Sequence, residues 1–538
     1  MTEFQAHPHL STGVSTGVLI LKNNRTYGRY KNNPKNKLLY KCVPDNRNAP
    51  TVLVPYEMKR IEFSKSFTNL YVTFHIETLN DDAKGHSIAK LDSTIGPVDV
   101  LAHYYEYQLA CHRLTEPISA FTRATNQALR QDVITTEISS VSETARIFTI
   151  DPGGSTDFDD AVSIETLDAT EGRTAHRITI HIADVPALLT RINLWEHVSD
   201  RVATVYLPSD ATQSKKNMLP PVLSDDVCSL VENLRRPTLS LELTIIDSEI
   251  VGTVFNRSRI HVARNYQYEE RSLLRDPDYI NLLSVTRKMC AMPDQKYLAE
   301  ITDSHDVVAY LMILMNCVAA RALRAEGTGI FRAAPCQGTE IEPNPGVTCA
   351  VAAQFFRSGG AARYINIENI PTENQDNALR HAALDATEYI HITSPIRRLA
   401  DLLNMTRLQQ RLGLITEEAE SRQSEAFYAK WIARLDHINE RMTAIRKTQN
   451  DCALVAAVAH EPEIMENDWD AYVCDIDPES RRVSVFIPRL KLVARAVASL
   501  VETEQAFIPP IQTKVQCRIH LFQDEDRVRR KVRVSMNR

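Results

Sequence analysis

Four aspartates fall within ten residues of the segment Thr149-Ile150-Asp151-Pro152-Gly153-Gly154-Ser155-Thr156-Asp157-Phe158-Asp159-Asp160-Ala161-Val162, and no other feature constrains the fold as tightly. Carboxylates gathered in one place repel one another, so a fold that holds them together needs cations or must raise some of their pKa values. A solvated acidic turn is the bland alternative. Ile150 before the cluster and Ala161-Val162-Ser163-Ile164 after it favour a turn between two buried strands. In extended backbone alternate side chains face opposite ways, which puts Asp157 and Asp159 on one side and Asp160 on the other. Magnesium suits such a site because it takes hard oxygen ligands and keeps positions open for water and phosphate. Asp151, Asp157, Asp159 and Asp160 are the candidate ligands, with manganese as the alternative ion. A calcium loop counted from Asp157 would place Ala161 and Val162 where it needs an oxygen ligand and a glycine, so that reading fails.

The second informative segment is Tyr389-Ile390-His391-Ile392-Thr393-Ser394-Pro395-Ile396-Arg397-Arg398-Leu399-Ala400-Asp401-Leu402-Leu403. Ser394 followed by Pro395 predicts a helix start, with a capping oxygen and then a residue whose missing N–H does no harm. Arg397 and Arg398 would then sit in the first turn, where cations oppose the helix dipole and an anion is expected nearby. A structural salt bridge to Asp401 is the competing reading. An acidic cluster and an arginine-bearing turn together outline a phosphodiester hydrolase, with metal-bound water attacking and an arginine neutralising phosphate.

Short alternating runs at 16–21, 37–42, 51–55 and 70–76, and a weaker one at 86–91, predict a small N-terminal β-barrel. Within it, residues 22–41 carry seven cations and no acid, interleaved with Tyr27, Tyr30 and Tyr40. Lys22, Arg25 and Arg29 could follow phosphates while tyrosines stack on bases, against the alternative of a solvated hairpin. A helical stretch covers 100–130. Strand-like runs at 178–182 and 241–246 then give way to helical sequence at 310–324 and 426–460. Alternation returns at 471–474, 482–487, 514–521 and 527–534, predicting a second small barrel. A chain of 538 residues is expected to divide into several domains. The ten cysteines form no C-x-x-C pair, which argues against a zinc knuckle or redox motif. With no apolar run read as long enough to span a bilayer and no secretory pattern at the start, no membrane role is expected. A cytoplasmic or otherwise intracellular setting, not a secreted one, is anticipated. The net charge of -6 means that any nucleic-acid surface must be a local one.

The two chemical segments resemble the signature motifs of the ribonuclease II family. Its catalytic RNB domain carries an Asp-Pro segment ending in Asp-Phe/Leu-Asp-Asp-Ala and a Thr-Ser-Pro-Ile-Arg-Arg/Lys segment. Between them, in family order, lie His181-Ile182-Ala183-Asp184-Val185, Val205-Tyr206-Leu207-Pro208, Met218-Leu219-Pro220, Leu223-Ser224 with Cys228-Ser229-Leu230, and Gly329-Ile330-Phe331-Arg332. The flanks are similar to the cold-shock-type and S1-type barrels of eukaryotic exosome-type members.

The resemblance implies a multidomain α/β plus all-β chain, with a central mixed α/β RNB catalytic domain flanked by small OB-type β-barrels. The expected divisions are a cold-shock-like barrel at 1–105, a helical linker at 106–134, the catalytic domain at 135–462 and an S1-like barrel at 466–538. It further implies a monomeric hydrolytic 3′→5′ exoribonuclease acting on single-stranded RNA. Asp151, Asp157 and Asp159 would help hold magnesium, Asp160 would matter most for cleavage, and Arg397 with Arg398 would serve the reacting phosphate. Tyr206 and His391 would contact RNA. Leu399, Ala334 and Asn450 depart from the family pattern, which puts substrate grip in question more than chemistry. A non-catalytic RNA-binding regulator on the same scaffold, and a metal-dependent DNA nuclease or phosphatase, are the competing functions.

Overall fold

The computed structural model describes residues 13–30, 37–58, 67–78, 87–131, 145–168, 174–208, 214–298, 300–334, 362–381, 384–415, 418–477, 482–498, 509–523 and 530–537. Lys31, Lys35, the first residue of the run at 86–91 and the first three of the run at 527–534 lie outside them.

The N-terminal runs form β1 (Ser15–Leu19), β2 (Leu38–Pro44), β3 (Val52–Tyr56), β4 (Leu70–Thr78) and β5 (Ile88–Pro97), which close in the order β1-β2-β3-β5-β4. Alternation supplies the interior: Leu19, Val54, Val72 and Phe74 are buried in one apolar cluster. Gly17 is required where β1 is crowded, since a Cβ there would lie 2.7 Å from the Val43 carbonyl oxygen. Tyr40, expected to offer a stacking surface, is instead 1% exposed inside the barrel, with its hydroxyl donating to Asn24 Oδ1. Two helices follow, α1 (Leu101–Cys111) and α2 (Ser119–Gln131).

The central strands are β6 (Ile147–Asp151), β7 (Asp160–Leu167), β8 (Ala175–Ala183), β11 (Arg235–Ile246) and β12 (Glu249–Gln267). Between β8 and β11 lie helix α3 (Val185–Arg191) and a two-stranded hairpin, β9 (Val205–Leu207) with β10 (Ser214–Lys216). The five central strands close into a third barrel, β11-β12-β6-β7-β8, where the sequence suggested two barrels in all. Closure comes from a parallel pairing of β6 with β12, which aligns Ile150 with Tyr266 and Asp151 with Gln267. A pairing between strands so far apart in sequence leaves no trace in local periodicity. One face of these strands is apolar, with Ile178, Ile180, Ile182, Leu239, Leu241 and Leu243 in a cluster shared with α4 (Pro277–Cys290) and α5 (Ser304–Ala325).

Helix α5 corrects the sequence reading in another respect, because by length and composition it is apolar enough to cross a membrane. Here Leu311, Leu314, Met315 and Leu323 are buried against the strands, as in the core helix of a globular protein. After it come β13 (Ile330–Ala333) paired with β14 (Arg363–Asn366), then α6 (Leu399–Arg411), α7 (Glu418–Ile432) and α8 (Leu435–His460). The C-terminal barrel, β15 (Asp468–Asp477), β16 (Arg482–Ile487), β17 (Leu492–Ala498), β18 (Lys514–Gln523) and β19 (Arg530–Asn537), repeats the strand order of the first. In both, the third and fifth strands pair in parallel, the arrangement of a small OB-type barrel, and closure leaves no sheet edge open.

Asn404 ties α6 to its surroundings. It is fully buried, its Oδ1 accepts from Ile330 N, and its Nδ2 donates to the carbonyls of Ile330 and His391. Asn404→Leu keeps the volume and strands three backbone groups without partners. A loss of about 3 kcal/mol is expected, read as a lowered unfolding midpoint in urea; an unchanged midpoint would show that those groups find other partners.

Candidate active site

The acidic segment lies at one mouth of the central barrel. Asp151 ends β6 and Asp160 opens β7, and the intervening loop turns through Gly154 at φ 82°. Phe158 packs against the core, and the loop is tied down on both sides: Phe158 N donates to Ser229 Oγ at 2.9 Å, Ser229 Oγ donates to the Thr156 carbonyl, and Ala183 N donates to the Asp159 carbonyl.

The four carboxylates do not share one fate. Asp157 accepts from the Tyr206 hydroxyl at 2.7 Å on one oxygen and from Lys215 Nζ at 2.9 Å on the other. Asp159, 2% exposed, accepts from Ile396 N and from Arg397 Nε, both at 2.9 Å. Among the described residues, Asp151 and Asp160 have no ion-pair partner of their own, and Asp151 Oδ2 is buried without a hydrogen-bond partner. The alternation argument, which grouped Asp157 with Asp159, is therefore replaced by a pairing of Asp151 with Asp160. Residues 155–159 are not a strand, so the two-residue period does not apply to them.

Electrostatics follow this partition. Burial raises the Asp151 carboxyl well above its ordinary range, and the neighbouring charge of Asp160 raises it further. Burial likewise lifts Asp159 to about 7 and Asp160 to about 6, with Arg397 opposing the rise in both. Asn265 Nδ2 donates to Thr149 Oγ1 at 3.0 Å, leaving the Thr149 hydroxyl to donate to Asp151, which partly counters the rise.

Among the described residues, no group of three or more His, Cys, Asp or Glu side chains is arranged to hold a metal ion. Two uncompensated carboxylates, one with an orphaned buried oxygen, do fit a magnesium-type ion bound by one or two protein carboxylates, with water and substrate phosphate completing its shell. Asp151 and Asp160 are the residues that would hold it; Asp157 and Asp159 are already engaged.

The helix expected from Ser394 begins at Leu399 instead. Residues 202–204 pair with the backbone before it: Thr204 N donates to the Arg397 carbonyl, Leu399 N donates to the Val202 carbonyl, and Arg398 is extended at φ -138°. That pairing takes the backbone a helix would have used. The counterion of Arg397 is thus Asp159 and not a first-turn anion, and the Arg397 side chain stays 43% exposed. Arg398 follows the competing reading. It forms an ion pair with the fully buried Asp401 at 3.0 Å, and its Nη2 donates to Ser394 Oγ.

His391, expected at the RNA surface, has its Nδ1 2.7 Å from the Tyr364 hydroxyl and 3.4 Å from Arg398 Nη1. Arginine can only donate, so Nδ1 is the acceptor; burial, then the nearby arginines, hold this imidazole well below its ordinary pKa and neutral. Tyr206 is drawn to Asp157, inside the acidic site. Lys22, Arg25, Tyr27, Arg29 and Tyr30 lie together on the loop between β1 and β2, with the Arg25 guanidinium 5.5 Å from the Tyr27 ring centre.

Two residues at the site escaped sequence reasoning. Lys215 becomes visible only through the register of the β9–β10 hairpin, which sets it opposite Tyr206. Tyr268 donates its N–H to the Asp151 carbonyl and stacks on His305 at 3.7 Å, and Asp160 and Asp151 add to the burial that raises its pKa. Nothing in local composition singles it out.

A family model described as RNB domain matches residues 141–281 and 339–414. An uncharacterized ribonuclease of Synechocystis is 29% identical over 301 residues, covering 48% of this chain and 41% of that protein. Exoribonuclease 2 of Erwinia tasmaniensis is 26% identical over 349 residues, covering 53% of this chain and 52% of the relative. The chain spans about half the length of the curated relatives it matches. In fold it is similar to Mycoplasma genitalium RNase R in complex with ribose-methylated single-stranded RNA, with TM-score 0.65, 15% identity, and 97% and 89% of the two chains covered. Yeast Ssd1, a pseudonuclease, gives TM-score 0.53 at 15% identity over 92% of this chain and 66% of Ssd1.

The raised carboxyls make a stability prediction. Asp160 binds its proton more tightly folded than unfolded, so its contribution is fully present below about pH 4 and is lost as pH rises through about 6. Asp160→Asn removes that loss. In chelator at pH 8 the variant is expected to melt roughly 2 °C or more above the parent, with the gap closing near pH 4. Calorimetry showing equal or lower melting at pH 8 would contradict the assigned burial cost.

Proposed function

We propose that this chain, whose residues 141–281 and 339–414 match the RNB domain model, is a hydrolytic exoribonuclease that removes nucleoside 5′-monophosphates from the 3′ end of single-stranded RNA by metal-ion catalysis. The observation that carries this reading is the Asp159–Arg397 pair set beside two uncompensated carboxylates.

Arg397 spends its Nε on Asp159 and, among the described residues, its two terminal NH₂ groups make no hydrogen bond. A half-exposed guanidinium held by one edge offers the other edge as a two-pronged donor to a phosphate. Asp159, together with the Ile396 N–H, fixes that fork in place. Asp151 and Asp160 would hold a divalent ion, which when bound lowers the pKa of water and offsets charge on the reacting phosphate. The Tyr206 ring, anchored through its hydroxyl to Asp157, forms part of the wall of the same site. Arg25, Tyr27, Arg29 and Tyr30, with Lys22, lie on the first interstrand loop of an OB-type barrel, a position suited to backbone phosphates and stacked bases. RNA bound to the Mycoplasma RNase R supports RNA as the partner here.

A fold shared with a pseudonuclease favours a second reading, an RNA binder without catalysis. The aspartates and Arg397 favour the enzyme. The test is incubation with 5′- and 3′-labelled RNA, and with DNA of the same sequence, in magnesium or in chelator. Stepwise shortening from the 3′ end, on RNA only and with magnesium only, is the expected result. A folded protein that binds RNA and leaves it intact would establish the binder instead. Arg397→Ala should lower the single-turnover rate by roughly a hundredfold or more, and Arg397→Lys should recover only part of it, because an ammonium cannot present two parallel donors.

A further inference from the structure

We propose that Lys215 sets the number of divalent ions this site takes, by holding Asp157 out of the coordination shell. The proposal rests on the metal-dependent reading above and deepens it.

Lys215 is 18% exposed, and its ammonium is fully committed: 2.9 Å to Asp157 Oδ1, 2.6 Å to Thr156 Oγ1 and 2.8 Å to Asp225 Oδ1. Three acceptors use all three of its donors. Asp225 is itself fixed, accepting from Ser224 Oγ at 2.7 Å and from Asn217 Nδ2 at 3.3 Å on the same oxygen. The lysine is therefore anchored from behind and aimed at the acidic loop. The second oxygen of Asp157 accepts from Tyr206, the cross-strand partner of Lys215 on the β9–β10 hairpin. One hairpin thus occupies both oxygens of one carboxylate.

Arg397 pairs with Asp159, and Lys215 ties down Asp157 while also pairing with Asp225. Asp151 and Asp160 are the loop carboxylates left without an ion pair among the described residues, and they are the two that would take a divalent cation. Without Lys215, Asp157 would turn from a tethered carboxylate into a third ligand close to Asp159. The site would then gain affinity for cations while losing the loop geometry that Thr156 and Asp157 impose.

Lys215→Met keeps most of the apolar stem and removes the charge. Binding of Mn²⁺ to the RNA-free protein, followed by electron paramagnetic resonance, is expected to rise from one ion to two while single-turnover cleavage falls; tighter binding of a single ion would reflect only the lost positive charge and would overturn the proposal. Lys215→Arg should restore the parent's Mn²⁺ affinity and stoichiometry. A lysine that merely propped the hairpin would give weaker Mn²⁺ binding, lower melting temperature and lower activity together. Unchanged or weaker Mn²⁺ binding by folded Lys215→Met therefore overturns the proposal, even if cleavage drops. Should that variant fail to fold, Asp157→Asn decides: a tethered Asp157 predicts that Mn²⁺ affinity falls less than about tenfold, and a larger fall makes Asp157 a ligand and overturns the proposal. A parent protein that binds no Mn²⁺ and cuts no RNA would overturn the metal-dependent nuclease reading, and this proposal with it.

Discussion

The contact on which the site depends is Asp159 accepting simultaneously from the Ile396 amide and the Arg397 guanidinium. It joins a loop between two barrel strands to a turn that precedes α6, segments separated by 238 residues in sequence. A buried ion pair of this kind is a weak source of net stability, because the desolvation of both charges consumes most of the attraction. Its value is geometric. The backbone amide and the guanidinium approach one carboxylate from one side, so the arginine's remaining edge can point in only one direction. Removing Arg397 would leave the buried Asp159 charge alone, a far larger penalty than the pair's net worth.

Around that contact the molecule is built to keep charge fixed and not dispersed. Asp401 is fully buried opposite Arg398, Asp184 holds Arg257 at 2.9 Å, and Asp276 caps α4 while binding Tyr266 and Arg146. Asp184 and Asp276 cap α3 and α4, Asp401 lies in the first turn of α6, and each is matched by an arginine. Asp151 and Asp160 differ: among the described residues neither has an ion-pair partner, and Asp151 Oδ2 is buried without a hydrogen-bond partner. An uncompensated pair amid satisfied neighbours is where a fold sacrifices stability, and such places are where binding and chemistry are found.

Much of this was legible in the sequence, and the boundary of legibility is physical. The flanking barrels announced themselves because their strands are half-buried and alternate, and the acidic loop because repulsion among clustered carboxylates demands an explanation. The third barrel did not, since its closure is a parallel pairing between strands at opposite ends of the unit. The helix start was misplaced because a cap signal at Ser394 is a local preference, and pairing with residues 202–204 overrode it. Lys215 and Tyr268 were missed because their importance lies wholly in what they face across space. Tyr40 was misread because a cation-rich neighbourhood says nothing about which side of a strand a tyrosine occupies.

The parallel closure of β6 on β12 has a consequence in time. During synthesis the strand carrying Asp151 leaves the ribosome well before Gln267, its partner in the register, and longer still before Arg397. Loop-closure entropy must be met before so distant a pairing is rewarded, which makes such topologies slow to form. The nascent chain therefore holds the apolar faces of β6, β7 and β8 without their final partners while the helices that cover them are still being made. For that interval the acidic loop belongs to no barrel and has no arginine, so a polypeptide released early would be inert toward phosphate and prone to associate through its unclosed strands.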